Sequence, residues 1–332
     1  MPIEWHYNVG GCFRAPGEDL ALAEDAAAAG FEGIWIGDHF VPWLDNRPYT
    51  HHILPWLGSV AERVPDATIG TCVSCPTIRY RPPVLAQALA TIDNAYPGRL
   101  EFGVGTGEAL NEARFYDGDW PDWGTLAGML IESIDVMETL WESDEYVDHD
   151  GKYYQYDEMK LYTKPRTRIP FHWAAWGPQS ARCAGKYAGN LLTAGDAELI
   201  NETLAPAFEA GRSERETDRE TDGTISVQLP AHVGDPGDIV DELRANGEYT
   251  PHDELETADP RDIQSIANDR LADVSDAELR KSNNVTDDPT DLIPTVERLA
   301  AAGVDRIILV SKVGDPRRTI DAIANEVMPR VE

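Results

Sequence analysis

The sequence predicts an α/β fold of the (β/α)8 barrel type, and three observations predict it. Strand-like and helix-like runs alternate along the whole chain, eight of each. The 332 residues suit one barrel of about 250 residues enlarged by insertions. A doubly wound dinucleotide fold would place GxGxxG at its first strand. Here the glycine-rich loop, Gly103 to Gly107, follows the fourth strand with the wrong spacing.

Each element has its own signal. IEWHYNV reads as the first strand, and PGEDLALAEDAAAAG as a helix ended by Gly30. FEGIWIGDHF is the second strand, followed by the helical HHILPWLGSVAERV. ATIGTCVSC is the third, and Pro82 and Pro83 suit the first turn of its helix, where a missing N–H costs nothing. RLEFGVGTGE is the fourth, and Leu126, Leu130, Met137 and Leu140 keep the apolar stripe of the helix that follows. YVDHDGKYYQYDEMKLYT alternates and turns at Asp150-Gly151, which predicts a hairpin insertion over about 144–164. PFHWAAW, NLLTAG and GTISVQLPAHV are strands five to seven. Residues from about 234 to 288 read as a second, partly helical insertion. DRIILVSK is strand eight, and the whole of 1–332 forms one domain.

Composition excludes several classes. Hydrophobic residues make up 42%, enough for a sizeable core. No apolar stretch approaches the roughly 18 residues that cross a bilayer. The start, MPIEWHYNVGG, has an early acid and no basic run, so no signal peptide and a cytoplasmic location are expected. Lys plus Arg total 28 against 59 Asp plus Glu, a net charge of −31 that would repel nucleic acid. The acids are scattered and Lys is scarce, as in a protein adapted to a salt-rich, halophilic cytoplasm. Four cysteines are too few for a disulfide scaffold, and the lone Cys72-Val-Ser-Cys75 pair ends a strand, where small residues pack.

Reacting groups in such a barrel sit where strands end at the C-terminal face. Asp38 and His39 end the second strand, and Glu108 with Asn111 closes the fourth. A His and a Glu facing each other there would give a proton acceptor and donor near neutral pH. Strand one has Trp5-His6-Tyr7 and no HxH pair, which disfavours a binuclear metal centre. Trp43, Trp56, Trp120, Trp123, Trp173 and Trp176 are candidates either for core packing or for stacking on a flat cofactor.

GDHFVPW, GTCVSCPTIRYRPPVLAQALATID, YPGRLEFGVGTGEALNE and NLLTAG together resemble the glucose-6-phosphate dehydrogenases that use the deazaflavin coenzyme F420, members of the bacterial-luciferase-like barrels. The likeness covers most of 1–212 and resumes in the last helix–strand–helix. It implies a homodimer with the coenzyme in the C-terminal mouth and a hydride passing to it from a substrate carbinol carbon. His39 would be the base taking the hydroxyl proton, Trp43 would pack at the reacting centre, and Glu108 would protonate the coenzyme. Asp38 would touch the coenzyme, Asn111 would hold its tail, and Gly177 and Pro178 would lie near its phosphate. The Cys72–Val73 link would match a non-proline cis bond behind the ring.

The sequence also departs from that family. Cys75 replaces a Thr at the coenzyme, and Trp176 replaces a Gly. Thr193-Ala194-Gly195-Asp196 stands where a Lys would meet the sugar phosphate, so the phosphate subsite is altered. Lys281, with Arg261, Arg270 and Arg280, is a candidate substitute within 234–288. The competing readings are an FMN-dependent monooxygenase of the same superfamily and a coenzyme-binding barrel without catalysis.

Overall fold

The computed structural model describes residues 2–216, 221, 223–247 and 256–331. Its strands, in chain order, are β1 (Glu4–Asn8), β2 (Gly33–Ile36), β3 (Thr68–Thr71), β4 (Leu100–Val104), β5 (Val147–Asp150), β6 (Gln155–Met159), β7 (Phe171–Ala174), β8 (Gly189–Thr193), β9 (Ile225–Pro230), β10 (His232–Val233), β11 (Val285–Thr286) and β12 (Arg306–Val310). Eight of them close a parallel barrel in the order β1-β12-β9-β8-β7-β4-β3-β2. Every residue of β2, β4, β7, β8 and β12 is buried, because one face packs on helices and the other fills the barrel.

The N-terminal end of the barrel is sealed by charge. Arg306 donates to Glu4 (Nε–Oε2 2.8 Å) and to Glu101 (2.5 Å), and His172 Nε2 lies 2.7 Å from the same Glu101 oxygen. Burial would raise the Glu101 carboxyl, but Arg306 and His172 override it and hold it well below the ordinary range. One layer above, Trp35 Nε1 donates to His6 Nδ1 at 2.6 Å. The indole needs glycines around it: a Cβ on Gly70 would stand 2.9 Å from its ring. Gly103 lies so close to the next strand that its Cβ would be 1.8 Å from the Thr71 carbonyl oxygen.

The helices follow the sequence signals. Gly30, at φ +103°, ends the first helix, Pro16–Ala28. Pro82 opens the helix Pro82–Ala95, and Leu126, Leu130, Met137 and Leu140 are all buried on the helix Trp123–Glu142. β5 and β6 form the antiparallel hairpin expected from the alternation. Glu132 fastens it to that helix by accepting from the backbone of Tyr153 (3.0 Å) and Tyr154 (2.7 Å). Tyr154 then donates its hydroxyl to the Thr77 carbonyl at 2.6 Å, which ties the hairpin to the loop after β3.

The segment 234–288 contains the helices Pro236–Ala245, Pro260–Asp273 and Asp276–Ser282, and returns through β11 to pair with β10; residues 248–255 lie outside the described residues. Several strands are shorter than the alternation predicts. GDHF and GTGE leave the regular strands after Ile36 and Val104, and CVSC leaves after Thr71 but keeps Ser74 bridged to Val104. Beyond β2 a side chain takes over: Asn111, not a neighbouring strand, accepts the N–H groups of Phe40 and Val41.

Candidate active site

Two strand ends meet at the C-terminal mouth through one amide. Asn111 Oδ1 accepts from the backbone N–H of Phe40 (2.7 Å) and Val41 (3.1 Å), beyond β2. Its Nδ2 donates to Glu108 Oε1 at 2.6 Å and faces His39 Nδ1 at 3.1 Å. His39 and Glu108 are thereby held 3.9 Å apart, each side chain 17% exposed and so open to a ligand. Trp43 meets the His39 ring edge-on, with centroids 6.3 Å apart. Gly37 gives the imidazole room, since a Cβ there would lie 3.1 Å from its Cδ2 and Nε2.

Burial drives these two groups in opposite senses. It pushes His39 down to about 4, helped by the positive charges of Arg79 and Lys312. It pushes the Glu108 carboxyl up to about 7, against the hydrogen bond from Asn111. At neutral pH the site therefore holds an uncharged imidazole beside a carboxyl poised to gain or lose a proton.

Behind this pair lies a buried ionic frame. Arg79 pairs with Asp38 at 2.9 Å and with Glu112 at 3.3 Å, and its backbone N–H also donates to Glu112 at 2.8 Å. Asp38 further accepts from Ser74 (2.5 Å) and Tyr80 (3.2 Å). Asp38 thus locks the loop after β2 to the loop after β3. The sequence reading missed Arg79 and Glu112. Both fall inside the distinctive stretches, but neither type nor spacing tells a buried ion pair from a surface one.

Other candidates fall in different places. The Cys72–Val73 peptide is cis. Burial pushes the thiols of Cys72 and Cys75 up, so both stay protonated, and Cys75 packs near Gly105 and Gly107. Trp176 is 40% exposed beyond β7, beside Gly177 and Pro178 at the start of the next helix, whereas Trp56 and Trp173 are buried in the core. The Thr193 hydroxyl is buried and accepts the Gly195 N–H at 3.1 Å. Asp196 caps the following turn by accepting the Leu199 N–H at 2.9 Å. Lys281 is exposed in the last turn of Asp276–Ser282, and Arg261 pairs with Asp259. Around Trp43 the wall is apolar: Leu44, Leu110, Ile263 and Ala267 are buried together, with Val41 and Trp43 packed against them. Among the described residues, no three His, Cys, Asp or Glu side chains are grouped to hold a metal ion.

Known proteins share this arrangement of strands. The luciferase-like monooxygenase profile matches residues 6–329. An F420-dependent glucose-6-phosphate dehydrogenase of Rhodococcus erythropolis is 34% identical over 322 residues, 95% of this chain and 94% of that protein. The enzyme of the same name from Mycolicibacterium smegmatis is 34% identical over 323 residues, 96% and 94% of the two chains. An F420-dependent secondary alcohol dehydrogenase, solved with an F420–acetone adduct, superposes with a TM-score of 0.90 at 31% identity over the full length of both chains. The chain belongs to the luciferase-like barrel family and, within it, to the group of F420-dependent dehydrogenases.

Proposed function

We propose that this chain uses coenzyme F420 to interconvert the CH–OH group of a small uncharged secondary alcohol or hemiacetal and the matching carbonyl. The observation that carries this reading is the imidazole–amide–carboxyl group of His39, Asn111 and Glu108, set beside Trp43 under an apolar wall. The coenzyme, when bound, supplies a ring that accepts or returns a hydride. The residues present fit such a ring. Trp176 offers a partly exposed indole at the mouth, and after the adjacent strand β4 Gly105 lets its loop pack closely on Val73, from which a Cβ would stand only 2.9 Å. Cys72, Val73 and Cys75 belong to that coenzyme side, braced from behind by the buried Asp38; His39 takes the hydroxyl proton and Glu108 would protonate the coenzyme.

The far side of the site favours a substrate without phosphate. Asp196 puts a carboxylate where a dianion would need a cation, and the Thr193 hydroxyl is already committed to its own turn. Lys281 would have to reach in from an exposed helix end. The reading extends to a cytoplasmic homodimer whose acidic surface is suited to concentrated salt.

The test follows loss of F420 absorbance with the purified protein in high salt, across secondary alcohols, free sugars and sugar phosphates. Turnover of secondary alcohols in preference to glucose 6-phosphate is expected. A bound flavin absorbance with oxygen uptake would instead make the protein an FMN-dependent monooxygenase and remove the proposal.

A further inference from the structure

A pair of amides stands on the floor of the mouth, on strands that carry none of the groups placed in the site so far. Asn8 is the last residue of β1, and Gln228 lies two residues from the end of β9. β12 separates those strands, yet Asn8 Nδ2 meets Gln228 Oε1 at 3.4 Å. Gln228 is in register with Ile308, which packs inside the barrel with Trp35, Ala174 and Leu192. In-register neighbours of a parallel pair share a face, so the Gln228 side chain also points inward. Round the ring of strands, β9 stands opposite β3, and β3 lies between β2 and β4. Gln228 therefore looks across the mouth to the Cys72–Val73 side, with the strand ends of His39 and Glu108 on either hand.

Both amides are oriented by their neighbours. The Gly10 N–H only donates, so the Asn8 atom that meets it at 2.8 Å is the oxygen. Asn8 Nδ2 is then the donor to Gln228, and the Gln228 atom it meets is again an oxygen. What Gln228 has left to offer is its NH2. That Nε2 has no partner among the described residues, and the half-buried side chain keeps it accessible. Once a ligand closes the site, an NH2 without an acceptor weakens binding, and one that meets an oxygen selects for that oxygen.

We infer that Gln228 is a specificity-determining residue whose NH2 holds a second oxygen of the substrate, beyond the one that reacts, and that Asn8 is the positioning residue that turns this NH2 toward the mouth. The substrate class narrows accordingly. It passes from secondary alcohols and hemiacetals in general to those with a further uncharged oxygen, such as diols and free sugars. The inference rests on the dehydrogenase reading above and leaves His39 and Glu108 the roles given there, since a neutral amide neither takes nor gives a proton. An uncharged donor also suits a hydroxyl better than a phosphate dianion, in keeping with Asp196 at the end of the neighbouring β8.

Two measurements test the inference. The first compares kcat/KM for propane-1,2-diol with butan-2-ol, and for butane-1,3-diol with pentan-2-ol, pairs that differ by a hydroxyl in place of a methyl. The wild type should favour at least one diol about tenfold or more, and Gln228→Met, which keeps the length and loses the NH2, should bring that ratio close to one. No diol preference in the wild type, or one that survives in Gln228→Met, overturns the inference. Each ratio is taken within one protein, so a partly unfolded variant does not disturb it. The second measurement is heteronuclear NMR of the Gln228 side-chain NH2 in labelled protein, assigned by its absence from Gln228→Met or Gln228→Glu. With or without F420, the diols or glucose should shift this signal, and the matching mono-alcohols should shift it less. A signal moved by F420 alone and by no diol or sugar would put the coenzyme on Gln228 and overturn the inference, as would a signal that nothing moves. The NMR needs no turnover. A protein that oxidises no alcohol would thus lose the dehydrogenase reading, while the choice of Gln228 for a second oxygen is still decided.

Discussion

Three side chains at the mouth share a small volume, and their environment sets their protonation more than their type does. Glu108 shows this through stability. Its carboxyl titrates near 4.5 when exposed and near 7 in the fold, with burial as the main cause. Between those values the folded chain binds more protons than the unfolded one, so the wild type loses stability as pH rises through that window. Glu108→Gln does not titrate. Its stability relative to wild type should climb by up to about 3 kcal/mol between pH 4.5 and 7 and then level off. His39 has the opposite sign, but it is common to both proteins and cancels in the difference. Denaturant melts across that range check this, and a constant difference would show that Glu108 is not buried as described.

The elements show how closely the strands must approach. Gly103 leaves no space beside the Thr71 carbonyl, so Gly103→Ala should cost about 3 kcal/mol or more, because backbone rather than a flexible side chain must move. A urea melt of the variant checks it; a loss under about 1 kcal/mol would mean that β3 and β4 can separate. Much at this scale was legible in the sequence. Buried parallel strands read as apolar runs, and Gly30, Pro82 and the stripe from Leu126 to Leu140 each mark a helix by local physics. At the site, His39 and Glu108 were legible because barrel chemistry gathers at strand ends. Arg79 and Glu112 were not, because their partners lie tens of residues away and only the closed barrel brings them together. The helices within 234–288 were legible as a break in period. Their contact with Trp43 through Ile263 and Ala267 was not, since nothing local links those segments.

Charge acts on the molecule as a whole. With a net charge of −31, mutual repulsion across the surface opposes compaction, and added salt screens it. The melting temperature should therefore rise from low to molar salt; a steady fall across that series would remove the case for adaptation to salt. The buried ion pairs should be little affected, because solvent ions do not reach them.

The clamp at the sealed end also bears on how the chain comes to be folded. Glu4 lies 302 residues from the Arg306 that holds it, and β1 forms its ladder with β12. During synthesis the first strand has its neighbour β2 on one side, but its other edge waits until β12 has been made. A nascent chain stopped before Arg306 carries an open edge and a Glu101 that lacks its arginine, so closure of the ring is a late event that no early fragment can complete.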